Sequence, residues 1–182
     1  MNKHSQQIAN SPVGIQLRSL TMNKDDRGYL TEIFREEWGT GIKPLQWNVV
    51  FSNAGVLRGV HVHVKHVDYV TVLQGRASVG LSDLRRGSPT EGLGTIVEMR
   101  GDSLAALTIP PGVAHGFYSH EPTIVAYAVS EYWDVADELA CNWADPALGI
   151  PWPTKTALVS PRDTQAPSLS ELLAQLERWQ PI

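Results

Sequence analysis

The chain has 182 residues, 42% of them hydrophobic and 19% charged, which is the composition and length of one ordinary globular domain. The formal net charge of −4 argues against nucleic acid as the main partner, although local arginines could still hold a phosphate. The single cysteine, Cys141, excludes an intrachain disulfide. No apolar run is long enough to span a membrane, so we expect a cytoplasmic protein without a membrane partner.

Most of the chain is predicted to form short strands separated by turns. Residues 1–12 are expected to be a flexible lead-in to a single domain that covers residues 1–182. The predicted strands cover residues 28–34, 45–51, 67–73, 77–81, 104–109 and 123–129. Turn signals recur about every eight to twelve residues and no helical period appears, a pattern that predicts an all-β sandwich or barrel.

The C-terminal part changes to a helical pattern. Ser168 stands three residues before Glu171, which is the spacing of a capping box. The leucines that follow Ser168 share one face of a helix. Residues 167–176 are therefore predicted to form a short amphipathic helix that packs on the barrel.

A cluster of titratable residues follows the pair Arg58-Gly59. It contains His61, His63, His66 and Asp68. His61 and His63 are two residues apart, so both imidazoles point to the same face of an extended strand. Two imidazoles on one face can form a metal site, a general-base site or both.

A second motif lies downstream, where prolines and a glycine set a tight turn that aims His115. The spacings of the two motifs are His61-x-His63, four residues, Asp68, six residues, Gly75, and Pro110-x-Gly112-x-x-His115. Together they resemble the paired motifs of the cupin superfamily. The resemblance implies a cupin-type double-stranded β-helix, or jelly-roll, barrel, to which the predicted C-terminal helix is added.

Further segments resemble one family within that superfamily, the dTDP-4-dehydrorhamnose 3,5-epimerases. In chain order they are Asp26-Arg27-Gly28-Tyr29-Leu30-Thr31-Glu32, Gln46-x-Asn48, Leu57-Arg58-Gly59-Val60-His61, Asp83-Leu84-Arg85-Arg86-Gly87-Ser88-Pro89-Thr90, Trp143-x-Asp145-Pro146-x-x-Gly149-Ile150-x-Trp152-Pro153 and Leu158-Val159-Ser160-Pro161-Arg162-Asp163. Because these segments span nearly the whole chain in family order, the protein is identified as a divergent member of that family.

The resemblance implies an isomerase that epimerises a nucleotide-linked 4-keto-6-deoxy sugar at C3, C5 or both. The keto group acidifies the protons on neighbouring carbons, so a base can form an enolate and an acid can return a proton from the opposite face. By resemblance, His61 is the base and Asp163 is the carboxylate that orients it. Trp133 aligns with the family's proton-donating tyrosine, and the adjacent Tyr132 is the candidate donor if a β-bulge turns it inward.

The resemblance also implies a set of substrate-binding residues. They are Arg27, Glu32, Gln46, Asn48, Arg58, His115 and Arg162. Arginine suits a diphosphate because its planar guanidinium donates several hydrogen bonds at once. The expected partner is a nucleotide-diphospho-sugar, and the family is commonly a homodimer formed by exchanged N-terminal strands.

Two further departures from the family concern metal binding. His63 stands where glutamine is usual, and Asp68 stands at the lysine near the enolate oxygen. A carboxylate there would oppose enolate formation unless a cation lay between the two charges. We expect no cofactor, as is the family norm; the alternative is one divalent ion, such as Zn, Fe, Mn or Ni, bound by His61, His63, Asp68 and His115.

Two alternative functions stay open at this point. One is a metal-dependent cupin enzyme of another class, such as a dioxygenase or an aldose isomerase. The other is a sugar-nucleotide binding protein that has lost its chemistry, as the departures at Asp68 and Trp133 suggest. The sequence does not name the sugar, the nucleotide base or the number of carbons inverted.

Overall fold

The computed structural model describes residues 5–134, 137 and 139–177. The strands are β1 Ser5–Gln6, β2 Gln16–Ser19, β3 Asn23–Asp25, β4 Gly28–Leu30, β5 Gln46–Ser52, β6 Leu57–Val62, β7 Asp68–Gln74, β8 Arg76–Asp83, β9 Gly94–Arg100, β10 Ala105–Ile109, β11 Val113–Ser119, β12 Thr123–Val129 and β13 Leu139–Ala140. The α-helices are α1 Pro161–Thr164 and α2 Leu169–Leu176, and short 3-10 turns cover Glu36–Trp38 and Pro146–Leu148.

Two antiparallel sheets form the jelly-roll barrel. Within the described residues, the larger sheet has the strand order β1-β2-β10-β7-β12-β5 and the smaller has the order β13-β6-β11-β8-β9. The hairpin of β3 and β4 forms a separate sheet. This architecture confirms the all-β, cupin-type barrel predicted from the sequence.

The main core lies between the two sheets. Alternating side chains of one sheet, such as Val72 and Leu107, pack against Val79 and Leu81 of the other, and all four are buried. Burying each such side chain stabilises the fold by about 1.5–3 kcal/mol relative to leaving it exposed. These inward-facing apolar side chains hold the two sheets together. Polar side chains take the inward positions at one end of the barrel, where a cavity forms.

The helix α2 packs against the smaller sheet. Leu172 is buried in a second core with Val62 and Leu148. The predicted capping box is present, since the Ser168 hydroxyl accepts from the Glu171 N–H and the Glu171 carboxylate accepts from the Ser168 N–H. The predicted C-terminal helix is therefore confirmed. Within the described residues, no helix is both long and apolar enough to cross a membrane.

Two predictions about the N-terminal part need correction. The strand predicted for residues 28–34 ends at Leu30, because Phe34 turns inward to pack edge-on against Tyr69, whose hydroxyl donates to the Ile33 carbonyl at 2.7 Å. Within the lead-in predicted for residues 1–12, Ser5–Gln6 form the short strand β1, which pairs with β2. Residues 1–4 lie outside the described residues.

Candidate active site

A cavity of about 520 Å³ lies at one end of the barrel, within the usual size of a small-molecule site. Its apolar floor includes Val70, Val79 and Val125. Seven of the ten predicted site residues line it, namely Gln46, Asn48, Arg58, His61, His115, Arg162 and Asp163. The cavity therefore brings together residues that are far apart in the sequence.

A histidine–carboxylate pair lies in the wall of this cavity. His61, on β6, is directly across from His115 on β11. Its Nε2 lies 2.9 Å from Oδ1 of Asp163, a hydrogen bond that joins residues 102 positions apart. Because an ionised carboxylate only accepts, this bond places the imidazole proton on Nε2 and makes Nδ1 the basic nitrogen.

Backbone hydrogen bonds fix the position of Asp163. The Leu57 N–H donates to the Leu158 carbonyl at 3.0 Å, and the Leu158 N–H donates to the Gly55 carbonyl at 2.9 Å. The chain then enters α1, where the Ser160 hydroxyl accepts from the Asp163 N–H at 3.1 Å as an N-cap does. The segment is thus held alongside β6, with its carboxylate facing the His61 ring.

The Asp163 carboxyl is buried, yet it stays ionised. Burial alone would raise its pKa, but the hydrogen bond and charge of His61, together with hydrogen bonds from Ser160 and the Gly59 N–H, hold the pKa of Asp163 below its ordinary value. The carboxylate can therefore stabilise the imidazolium that forms when His61 accepts a proton.

Two glycines allow β6 and β11 to approach closely beside His61. A Cβ on Gly59, whose φ is +110°, would lie 2.7 Å from the Gly116 Cα. The register of the two strands shifts at this point, between His115 and Phe117. The Arg-Gly pair before His61 is thus explained by backbone packing next to the site.

Several polar side chains at the cavity are already oriented by neighbours. The Gln46 amide donates to Asn48 Oδ1 at 3.0 Å and accepts from the Trp133 N–H at 3.1 Å. Arg58 donates to the Ser52 hydroxyl at 3.0 Å and to the Phe51 carbonyl at 3.1 Å. These contacts hold the side chains facing the cavity before a ligand arrives.

A second polar group in the cavity surrounds Asp68. His66 Nε2 lies 3.5 Å from Asp68 Oδ2, and His115 Nε2 lies 3.8 Å from the same oxygen. The rings of His63 and His66 stack with their centroids 4.0 Å apart. Burial and the neighbouring histidines lower the pKa of His63 to about 2, and burial raises the pKa of Asp68. His63 is therefore neutral.

The alternative metal-ligand set predicted from the sequence is not brought together. His61 is held by Asp163, whereas the described residues whose ligand atoms all lie within 4.8 Å of one another are His63, His66 and Asp68. Sequence reasoning missed His66 because it lies in the loop between β6 and β7, outside the motif spacing. The available signal was the density of titratable residues in an apolar stretch.

Three predicted site residues lie away from the cavity. Tyr132 is 70% exposed, whereas Trp133 lines the cavity, and both residues follow the end of β12 at Val129. The Arg27 side chain is 89% exposed and pairs with Asp25 at 2.6 Å. Glu32 pairs with Arg35 at 2.8 Å. The sequence makes Tyr132 the candidate donor on the condition that a β-bulge turns it inward, and the described residues 130–134 form no strand in which such a bulge could lie.

Comparison with known proteins gives a consistent result. The family model described as dTDP-4-dehydrorhamnose 3,5-epimerase matches residues 13–171. The chain is 37% identical to a dTDP-4-dehydrorhamnose 3-epimerase of Streptomyces niveus, over 79% of this chain and 71% of that protein. It is 34% identical to a dTDP-4-dehydrorhamnose 3,5-epimerase of Sinorhizobium fredii, over 81% of each chain.

Solved structures agree with these matches. The structure of a 3'-monoepimerase from Streptomyces bikiniensis in complex with dTDP-quinovose is similar to this chain with a TM-score of 0.82 and 31% sequence identity. The similarity covers 93% of this chain and 88% of that chain. The likeness thus extends over the barrel as a whole, including the cavity.

Proposed function

The chain belongs to the dTDP-4-dehydrorhamnose 3,5-epimerase family, and from this we propose that it inverts a carbon beside the keto group of a dTDP-linked 4-keto-6-deoxy sugar. The enzyme is an isomerase that acts on a nucleotide sugar. The observation that carries the mechanism is the His61–Asp163 hydrogen bond of 2.9 Å in the cavity wall. Relatives that invert C3 alone and relatives that invert C3 and C5 both match.

His61 acts as the base in this proposal. Its Nδ1 accepts the proton from the carbon next to the keto group, and the Nε2–H bond to Asp163 stabilises the resulting imidazolium. Asp163 is the positioning residue, because it acts through the His61 ring by setting its tautomer. The apolar floor of the cavity keeps water from the enolate.

Two arginines are proposed to hold the diphosphate. Arg58 and Arg162 both line the cavity, one from β6 and the other from α1. Guanidinium groups bind phosphate oxygens through paired hydrogen bonds. Gln46 and Asn48, on the facing strand β5, offer amides for the sugar or the base. In this proposal the phosphates bind at the mouth of the cavity and the sugar ring lies towards His61 and His115.

The proton donor on the opposite face is proposed to be Tyr127 rather than Tyr132. Of the tyrosines in the described part of the chain, Tyr127 lines the cavity. It lies on β12, paired with Asn48 on one side and Val70 on the other. We expect Tyr127→Phe to retain the exchange of substrate protons but to lower the formation of inverted product, while Tyr132→Phe has little effect. Equal losses in both variants would contradict this assignment.

A homodimer is proposed from the outer face of β5. This strand is at the edge of its sheet, and Val49 and Phe51 on its outer face are 70% and 58% exposed. A row of exposed apolar side chains on a sheet edge is typical of an interface. We expect the protein to elute as a dimer in light-scattering chromatography and Val49→Glu to convert it to a monomer. A monomeric parent protein would rule the proposal out.

The dimer would also give a role to Arg27 and Glu32. Both belong to the exposed N-terminal region that includes the β3–β4 hairpin, so exchange of this region could bring them to the cavity of the other protomer. Mixing Arg27→Ala with His61→Ala chains should then restore part of the activity, since a mixed dimer has one intact site. No recovery after mixing would place these two residues outside the site. A cytoplasmic location stays a prediction from the sequence.

Deuterium exchange tests the proposed chemistry. The protein is incubated in deuterated water with a dTDP-linked 4-keto-6-deoxyhexose, and deuterium at the carbons beside the keto group is followed by mass spectrometry. We expect exchange in the parent protein, loss of exchange in His61→Ala, and no change in His120→Ala, a histidine away from the cavity. Tight binding of the sugar without exchange in the parent protein would instead favour a binding protein that has lost its chemistry.

A further inference from the structure

Two histidines in the cavity are held in the same tautomer by one residue. Asp137 accepts from His63 Nδ1 through its backbone carbonyl at 3.3 Å and from His66 Nδ1 through Oδ2 at 3.0 Å. Its other carboxylate oxygen accepts the Val64 N–H at 3.0 Å. Because these acceptors have no hydrogen to give, both rings carry their proton on Nδ1 and present the lone pair of Nε2.

His115, on the strand β11, is held in the same tautomer. Its Nδ1 lies 3.1 Å from the Val113 carbonyl, so its Nε2 also carries a lone pair. That Nε2 is 3.8 Å from Asp68 Oδ2. Three imidazole lone pairs and one carboxylate are therefore gathered in one corner of the cavity.

The ligand atoms of His63, His66 and Asp68 all lie within 4.8 Å of one another, which is compact enough for a metal ion, and His115 approaches this group through Asp68. Two ligand atoms that each lie about 2.1 Å from a tetrahedral ion are about 3.4 Å from one another. The distances from Asp68 Oδ2 to His66 Nε2 and His115 Nε2 are 3.5 and 3.8 Å. These separations are too long for good hydrogen bonds but close to the edges of a tetrahedral site.

The hydrogen bonding of His66 supports the same conclusion. The ring is buried, and its Nε2 has no hydrogen-bond partner among the described residues. A buried nitrogen without a partner costs stability. Histidines that bind metals commonly donate their other N–H to a carboxylate or backbone carbonyl, which is how His63, His66 and His115 are held here.

We propose that His63, His66 and Asp68 form a binding site for one divalent metal ion, and that His115, whose Nε2 lies 3.8 Å from Asp68 Oδ2, turns towards the bound ion as the fourth ligand. The set of three nitrogens and one carboxylate oxygen suits a borderline ion such as Zn²⁺, Co²⁺, Fe²⁺ or Ni²⁺. His61 is outside the set, because its Nε2 is bonded to Asp163. The site thus differs from the ligand set that the sequence spacing predicts.

The position of the site suggests its use, and this step rests on the proposed function. The four ligands line the same cavity as His61, and His115 is directly across from His61 in the sheet. A divalent ion there would supply positive charge to the keto oxygen as the enolate forms. That charge would offset the carboxylate of Asp68.

Cobalt binding tests the site independently of catalysis. The intact protein is treated with a chelator, transferred to metal-free buffer and titrated with Co²⁺, and the visible absorption of the bound ion gives the stoichiometry and Kd. Zn²⁺ is then added to displace the cobalt. We expect one ion per chain, and at least a 10-fold weaker Kd in His66→Ala and Asp68→Asn. Asp137→Asn is expected to weaken binding by about 10- to 100-fold, since the Asp137 carboxylate orients the ligand His66.

Matched variants keep the result interpretable. His120→Ala and His61→Ala should bind Co²⁺ with the parent Kd. His66→Gln removes the imidazole ligand but nearly preserves the side-chain volume. It should therefore lose the metal and keep the parent fold by circular dichroism, even if His66→Ala unfolds. Binding at less than one ion per chain, equal losses in His120→Ala and His66→Ala, or a loss in His61→Ala alone would overturn the assignment. Metal binding without deuterium exchange would keep the site and count against the proposed epimerase mechanism.

Discussion

The Asp163→Asn substitution gives the sharpest test of the proposed base. The carboxylate oxygen is 2.9 Å from His61 Nε2, so the introduced amide can donate to that nitrogen where the carboxylate accepted. The proton of the neutral imidazole would then move to Nδ1, the atom that has to accept the substrate proton. The side chain keeps its size and the backbone N–H of residue 163 keeps its cap contact to the Ser160 hydroxyl, so the fold should be retained.

The expected loss can be estimated from the charge. Two unit charges with centres about 4 Å apart interact by about 4 kcal/mol at the effective dielectric constant of a partly buried site. Losing that stabilisation of the imidazolium corresponds to about a 10³-fold slower proton abstraction.

The assay is the initial rate of deuterium incorporation into the dTDP-linked 4-keto-6-deoxyhexose, measured with saturating sugar. Asp102→Asn, the same chemical change at an exposed site, is the control and should keep the parent rate. Asp163→Asn with the parent fold and a rate within about threefold of the parent would refute the role of Asp163, because threefold corresponds to less than 1 kcal/mol.

Three further predictions concern stability and reactivity. Burial alone would raise the pKa of Asp83, but hydrogen bonds from Arg85, Thr90 and Ser88 outweigh it and lower that pKa, so Asp83→Asn should cost about 3 kcal/mol of unfolding free energy at pH 7. Because the pKa of Asp83 is depressed in the folded state, the difference in unfolding free energy between the parent protein and Asp83→Asn should be constant above the ordinary pKa of about 4 and should decrease below it. Urea unfolding at pH 7 and pH 3 measures this difference, and a larger difference at pH 3 would contradict the prediction. Burial raises the pKa of Cys141 to about 12, so its thiol should react at least about 100-fold more slowly in the native protein than in denaturant, as a chromogenic disulfide reagent would measure. Ser168→Ala should lower the unfolding free energy by about 1 kcal/mol through loss of the helix cap, whereas Gln175→Ala on the exposed face should not.

Three strands of the larger sheet could be predicted from the sequence. The side chains of β5 alternate in exposure, whereas β7 and β12 are mostly buried runs bounded by turn residues, and the predicted bounds of all three agree with the structure to within one residue. The strands β9 and β11 were not predicted. The strand β11, Val113–Ser119, contains His115 and Gly116 next to a proline turn, so its local sequence favours a turn. It forms a strand because it pairs with β8 on one side and β6 on the other.

The site was predictable only as far as the family resemblance reached. The His61–Asp163 pair spans 102 residues, and no periodicity links the two positions. Trp133 lines the cavity although it lies after the end of β12 at Val129, so no strand period fixes its orientation or that of Tyr132. The role of Asp137 has no local signal, because its contacts to Val64 and His66 depend on how the loop after β6 packs.

The carboxylates of the cavity divide its histidines into two groups with different chemistry. Asp163 bonds to His61 through Nε2 and makes Nδ1 the basic nitrogen, whereas Asp137 accepts from Nδ1 of His66 and leaves Nε2 with a lone pair. The two groups therefore present opposite ring nitrogens, and a metal ion held by one group need not compete for the base of the other. Since Asp68 Oδ2 lies 3.5 Å from His66 Nε2 and 3.8 Å from His115 Nε2, its charge would hold the proposed cation beside the second group of histidines and away from the hydrogen bond between His61 and Asp163.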